Sequence, residues 1–132
     1  MRFLMLYRPA DTASVEAGAP PTPEMMARMG ELIQRKIEEG KLLATEGCGP
    51  TRNGAKVRLN KGKLNVTDGP FAEAKELIAG FALYRAASKQ EAIAEAREFL
   101  EIAGDGEVEI RPVYDSDNCI ESVKLSHQVQ NV

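Results

Sequence analysis

Residues 77–104, LIAGFALYRAASKQEAIAEAREFLEIAG, decide the fold. The first ten, Leu77 to Ala86, form an apolar run carrying Phe81 and Tyr84, which reads as a strand. Its alternate positions Leu77, Ala79, Phe81 and Leu83 oppose Ile78, Gly80, Ala82 and Tyr84, so both faces of that strand are apolar. Ser88 to Glu91 then forms a capping box, and Ala92, Ile93, Ala96, Phe99, Leu100 and Ala103 keep helical spacing until Gly104. A strand that is apolar on both sides needs cover on both sides, and one neighbouring helix layer supplies only one.

Working outward, Val108 to Tyr114 reads as the last strand, and Pro112 inside it predicts a sheet edge because proline cannot donate to a ladder. Upstream, residues 55–67 alternate, with Val57, Leu59, Leu64 and Val66 on one face and Lys56, Arg58, Lys63 and Asn65 on the other. With Asn60-Lys61-Gly62 as a three-residue turn, this is a β-hairpin. Its basic residues from Arg52 to Lys63 lack interleaved aromatics, so a solvated face is expected rather than a phosphate contact. Leu42 to Gly49 reads as a strand stopped by Pro50. Before it, Thr22 caps and Pro23 starts an amphipathic helix ending at Gly40, with Met25, Met26, Met29, Leu32, Ile33 and Ile37 at three- and four-residue steps. Residues 9–21 read as a loop, and residues 2–8 as the first strand, with Phe3, Met5 and Tyr7 opposing Leu4 and Leu6.

Leaving the hairpin aside, the order is strand, helix, strand, strand, helix, strand. This is an α+β, ferredoxin-like βαββαβ arrangement with an inserted β-hairpin. Two helices cover one face of a four-stranded antiparallel sheet, and the first and third strands leave an apolar second face. At roughly 25 cal/mol per Å², burying that face against a second copy is favourable, which predicts a homodimer with sheets packed face to face.

The chain has 132 residues, enough for one domain, expected over residues 1–114, with a polar tail over 115–132. There are 17 Lys and Arg against 20 Asp and Glu, a net charge of −3, which excludes a basic nucleic-acid wrapper. The charge is uneven: residues 1–70 carry 11 basic and 8 acidic side chains, residues 71–132 carry 6 and 12. No long apolar run or signal-peptide core is present, so a cytoplasmic protein without membrane contact is expected. Cys48, Cys119 and the single His127 give no disulfide framework or metal set, and no glycine-rich phosphate loop occurs, so no cofactor or metal is expected.

Thr67-Asp68-Gly69-Pro70-Phe71-Ala72-Glu73-Ala74-Lys75-Glu76 resembles the signature of the DGPF branch of the YCII-related family. Supporting matches are Tyr7 at the end of the first strand, Glu46-Gly47, Gly80-Phe81, and Val108 to Val113. The resemblance covers residues 1–114. It implies a ferredoxin-like protomer, a dimeric α+β barrel and a bacterial source. Relatives in the wider group act on lactones, one of them a chloromuconolactone dehalogenase, and some members carry a His and Asp pair proposed to be catalytic. DGPF proteins also occur beside extracytoplasmic-function sigma factors. The family's histidine belongs on the first helix, where this chain has Met25, Met26 and Met29, so a histidine mechanism is not expected.

The residues left for chemistry are few. Asp68 either caps the Asp68-Gly69-Pro70-Phe71 turn through its own backbone amides or stands as a carboxylate base at a pocket mouth. Glu46, in an otherwise apolar strand, either pairs with Arg111 or Lys75 or carries a raised pKa. Tyr7 either donates into a cavity or is core with a wet tip. Arg8 and Arg111 either bind an anion or pair with neighbouring acids. Glu73 and Lys75 enter by their place after the signature. The expected function is carboxylate acid–base chemistry by Glu46 and Asp68 on a small anionic or lactone-like molecule, with a non-catalytic binding or interaction module as the alternative.

Overall fold

The computed structural model describes residues 1–71 and 77–114. Along the chain run β1 (Arg2–Pro9), α1 (Thr12–Glu16), α2 (Pro23–Glu38), β2 (Leu42–Gly47), a 3-10 turn (Thr51–Asn53), β3 (Ala55–Asn60), β4 (Lys63–Asp68), β5 (Gly80–Arg85), α3 (Lys89–Ala103) and β6 (Gly106–Pro112). The order β2-β5-β1-β6, all antiparallel, makes the four-stranded sheet, and β3-β4 form a separate ribbon. This is the expected ferredoxin-like α+β arrangement with an inserted hairpin. Glu73, Lys75 and the tail at 115–132 lie outside the described residues.

Local chemistry sets the boundaries. Thr22 accepts from the Met25 amide at 3.1 Å with Pro23 following, and Ser88 accepts from the Glu91 amide at 3.2 Å while Glu91 reaches back to the Ala87 amide. Gly104, at φ 93°, ends α3 in a conformation that side chains resist. Among the described residues β6 pairs only with β1, which puts Pro112 on an edge as expected.

Three expectations change. The loop 9–21 contains the short helix α1, started by Asp11, which accepts from the Ser14 amide and hydroxyl. The hairpin turn has two residues, not three: Asn60 pairs with Lys63, and Lys61 and Gly62 take φ 51° and 83°. Two left-handed residues give the turn whose twist matches the flanking strands. The ordered part of β5 begins at Gly80 rather than Leu77, although the Ala79 amide still reaches the Tyr7 carbonyl at 2.9 Å.

The core lies between the sheet and α2 and α3. Phe3 and Met5 from β1, Leu42 from β2 and Tyr84 from β5 pack with Ala86 and with Ala92 and Ala96 of α3. Residues directly opposite in an antiparallel pair share a face. The register Leu4↔Leu83 and Leu6↔Phe81 therefore sets these four on the side away from the helices. That second face is apolar only at its centre. On the β6 side Arg111, Glu109 and Glu107 stand opposite Leu4, Leu6 and Arg8, and at the far edge Glu46 stands opposite Phe81.

Candidate functional site

A cavity of about 230 Å³ opens between the sheet and the helices. Met5, Tyr7, Ala82, Tyr84 and Val108 form its sheet side, Met29, Leu32 and Ile33 come from α2, and Ala96 and Phe99 from α3. It exists because small residues (Ala79, Gly80, Ala82 and Ala96) occupy positions where larger side chains would close the gap between layers. Tyr7 packs edge-on against Phe99 with ring centroids 5.0 Å apart, which fixes one wall. Met29 makes the α2 wall of the cavity soft and apolar.

Polar groups in the lining are sparse. Burial, reinforced by Asp105, raises the Tyr7 hydroxyl above its ordinary pKa. Burial also raises Tyr84, with the Glu95 charge adding to it. Both phenols therefore remain protonated at neutral pH and act as donors. Thr45 spends its hydroxyl on the Phe81 carbonyl at 2.9 Å.

Glu95 is the buried charge of the lining, 7% exposed, and Lys36 beside it is 6% exposed. Lys36 Nζ lies 2.8 Å from Glu95 Oε2 and 3.0 Å from Glu98 Oε2, while Lys41 Nζ donates to Glu95 Oε1 at 3.1 Å. The 2.8 Å contact compensates an Oε2 that has no other partner among the described residues. Burial pushes the Glu95 carboxyl upward, but hydrogen bonds from Lys36 and Lys41 outweigh it and hold the group below the usual glutamate range. Burial pulls Lys36 down, and its bonds to Glu95 and Glu98 more than reverse this. The network joins α2, α3 and the start of β2 and closes one end of the cavity. Sequence reading missed it. The available signal was a lysine four residues after Leu32 and a glutamate between Ala92 and Ala96, each on the buried stripe of its helix.

Of the residues singled out from sequence, Tyr7 and Glu46 line the cavity. Glu46 is exposed, not buried, and stands opposite Phe81, so its register puts it on the open face and it borders the cavity only from the β2 edge. Of its two expected partners, Lys75 lies outside the described residues, and Arg111 lies on the opposite edge strand, three strand spacings or roughly 14 Å away. Arg111 instead donates to Glu109 at 3.2 Å, and Arg8 donates to the same carboxylate at 2.9 Å. Hydrogen bonds from Arg111 and Arg8 hold Glu109 below the usual carboxylate range despite some desolvation. The two arginines thus pair with neighbouring acids, on the open face.

Asp68 ends β4, in the ribbon and apart from the cavity lining, and it is exposed. It does not cap the following turn: the Gly69 amide donates to the Gly54 carbonyl at 3.0 Å, the Phe71 amide to Thr51 Oγ1 at 3.1 Å, and Pro70 has none. The Gly69-Pro70 peptide is cis. Gly69 lies flat on the Thr51 carbonyl, where any Cβ would collide, so its role is close approach rather than an unusual dihedral. Thr51 is in turn held by Glu16 of α1 through its amide at 2.9 Å and through its hydroxyl, and Arg52 donates to the Glu16 carbonyl at 2.7 Å. Lys56 lies 4.7 Å from the centre of the Phe71 ring. The signature segment, as far as it is described, anchors the root of the hairpin.

A family model for the YCII-related domain matches residues 1–117. The chain belongs to the YCII-related family. An uncharacterised protein of Rhizobium meliloti (strain 1021) is 36% identical over 105 residues, spanning 78% of this chain and 85% of that protein. Among solved structures, the chain is similar to 5-chloro-2-hydroxyhydroquinone dehydrochlorinase (TftG) of Burkholderia phenoliruptrix AC1100 in complex with 2,5-dihydroxybenzoquinone. That similarity has a TM-score of 0.41 and 14% identity, over 91% of this chain and all of the other. Among the described residues no helix of this YCII-related chain is long and apolar enough to cross a membrane.

Proposed function

We propose that this YCII-related protein is a homodimer, its open sheet faces joined, that takes a small, uncharged, largely apolar molecule into the cavity beneath α2 and α3 of each subunit. The observation that carries this reading is the lining itself: an apolar enclosure whose buried carboxylate, Glu95, is already paired with Lys36 and Lys41, with no arginine or lysine among its described residues. Such a lining offers an anion no free cation and leaves tyrosine hydroxyls to orient a carbonyl or hydroxyl. The arginines expected to bind an anion, Arg8 and Arg111, pair with Glu109 on the open face and are not in this lining, so the anionic form of the ligand is the less favoured one.

Glu46 borders the cavity from the β2 edge and is not committed to a lysine, so it is the acid to test for proton transfer in any turnover. Asp68, Gly69, Pro70 and Phe71 act on that site only through the hairpin root. The scarcity of polar groups favours the second reading, a binding module without turnover. A phenyl-substituted γ-lactone and its ring-opened hydroxy acid separate these ideas, because they share a skeleton and differ in charge. The lactone should raise the melting temperature, the hydroxy acid should not, and Ala82→Leu should abolish the effect by filling the cavity. Equal or tighter binding of the hydroxy acid sinks the uncharged-ligand reading. Lactone turnover that survives Glu46→Gln unchanged removes Glu46 from the chemistry, and binding without turnover establishes the binding module.

A further inference from the structure

Among the described residues, the β3–β4 ribbon is amphipathic and uncovered. Val57 stands opposite Val66 and Leu59 opposite Leu64, so all four share one face, and they are 67%, 61%, 70% and 66% exposed. The other face carries Arg58, Asn65 and Thr67. One apolar and one polar face is the pattern of a layer packed on something along one side. Within the described protomer β3 and β4 pack chiefly on each other. An isolated two-stranded ribbon is marginal in water, yet this one is firmly rooted, by Gly69 against Thr51 and by Thr51 against Glu16. A rigid root and a bare apolar face describe an arm held out to make a contact.

We propose that the apolar face of this arm docks on a second copy of the chain and forms part of the dimer interface, an inference that rests on the homodimer proposed above. Area argues for this occupant. The open sheet face is apolar at Leu4, Leu6, Phe81 and Leu83, each already half-buried by its neighbours, and at the small Ala44 opposite Leu83. That is well short of the roughly 800 Å² per partner that a stable interface buries. The arm adds an uncovered patch on the order of 400 Å², the scale at which apolar patches mark contact surfaces. Charge agrees with it. Lys61 and Lys63 stand at the tip of the arm, and the acids flanking the open face include Glu46 and Glu107, both exposed. An arm reaching past the edge of the partner's sheet brings tip lysines to rim carboxylates and leaves the sheet centre to the face-to-face contact.

The test uses the full chain. Equal amounts of 15N-labelled and unlabelled protein are mixed, equilibrated and treated with a zero-length carbodiimide coupler. Links of mixed isotope joining Lys61 or Lys63 to Glu46 or Glu107 are expected. Links of a single isotope alone place the arm on its own chain and overturn the inference. In sedimentation, Leu59→Asp/Leu64→Asp should weaken dimerisation on the order of 100-fold with an unchanged circular dichroism spectrum, because among the described residues the ribbon packs chiefly on itself. A double variant that dimerises as tightly as the parent also overturns it. Leu6→Asp separates the two ideas: if its dimer persists while the arm variant's does not, the face-to-face reading fails and the arm contact stands. A parent chain that is monomeric at 100 µM ends both.

Discussion

The four-stranded sheet and the two-stranded ribbon are written in the same alternating code and end in opposite environments. Phe3 and Met5 of β1 are 2% and 6% exposed, whereas Val57 and Leu59 of β3, with the same spacing, are 67% and 70% exposed. The difference is the helix layer. α2 and α3 return over one face of the large sheet and dehydrate it, while nothing among the described residues of the protomer returns over the ribbon. Alternation therefore identifies a face that needs covering, and says nothing about which body covers it.

That contrast can be broken or sharpened by substitution. The largest effect is expected at the covered sheet: Phe3→Ala should cost about 4 kcal/mol, read from urea unfolding of the protomer. Should it cost no more than a ribbon substitution, the sheet core is not where stability resides. Next comes the charge network that closes the cavity. Glu95→Gln leaves Lys36 buried with weakened compensation and should cost about 3 kcal/mol, whereas Lys36→Met/Glu95→Leu should restore much of it. A double variant no better than the single one removes the pairing argument.

The ribbon root comes third. Gly69→Ala forces a Cβ into the Thr51 carbonyl, so about 2 kcal/mol should be lost, with amide exchange accelerating at Gly69 and Phe71 while the four-stranded sheet stays protected. Acceleration across both sheets would mean that root and core unfold as one unit. The smallest effect is at the ribbon face, where Val66→Ala should stay within about 0.5 kcal/mol for the isolated protomer.

A pH titration reads the same network without mutation. Because the folded Glu95 carboxyl is held below its unfolded value, its stabilisation is fully present above the ordinary glutamate pKa of 4.5 and is lost as the pH falls through the folded value. Lys36 is raised, so its contribution is present below the ordinary 10.5 and is lost only as the pH rises through the folded value. The parent melting temperature should therefore fall in acid more steeply than that of Lys36→Met/Glu95→Leu. Parallel acid limbs would show that the network does not set the acid side.

Much of the architecture was legible because it is local. Thr22 with Pro23, Ser88 with Glu91, and Gly104 fix helix ends through bonds spanning a few residues, and Pro112 marks an edge by lacking a donor. The five-residue α1 was missed because one Asp11 cap inside an Ala- and Pro-rich stretch carries no periodic signal. The candidate site was far less legible. Glu46 reads as a buried acid in an apolar strand, but β2 turns out to be the edge, and an edge position leaves the carboxylate in water. Asp68 reads as a turn cap, but Thr51 and Gly54 take the amides it would have bound. Lys36 and Glu95 lie 59 positions apart in the numbering and become neighbours only when α2 and α3 lie side by side.

The sequence alone determined the family, the element order and the two apolar faces that demand cover, since side-chain periodicity and capping act over a handful of residues. Tertiary structure alone decided which charges are buried, where the small residues leave a cavity, and that the signature turn serves the hairpin root. Those properties depend on which distant segments meet, and burial and electrostatics are set by distance in space.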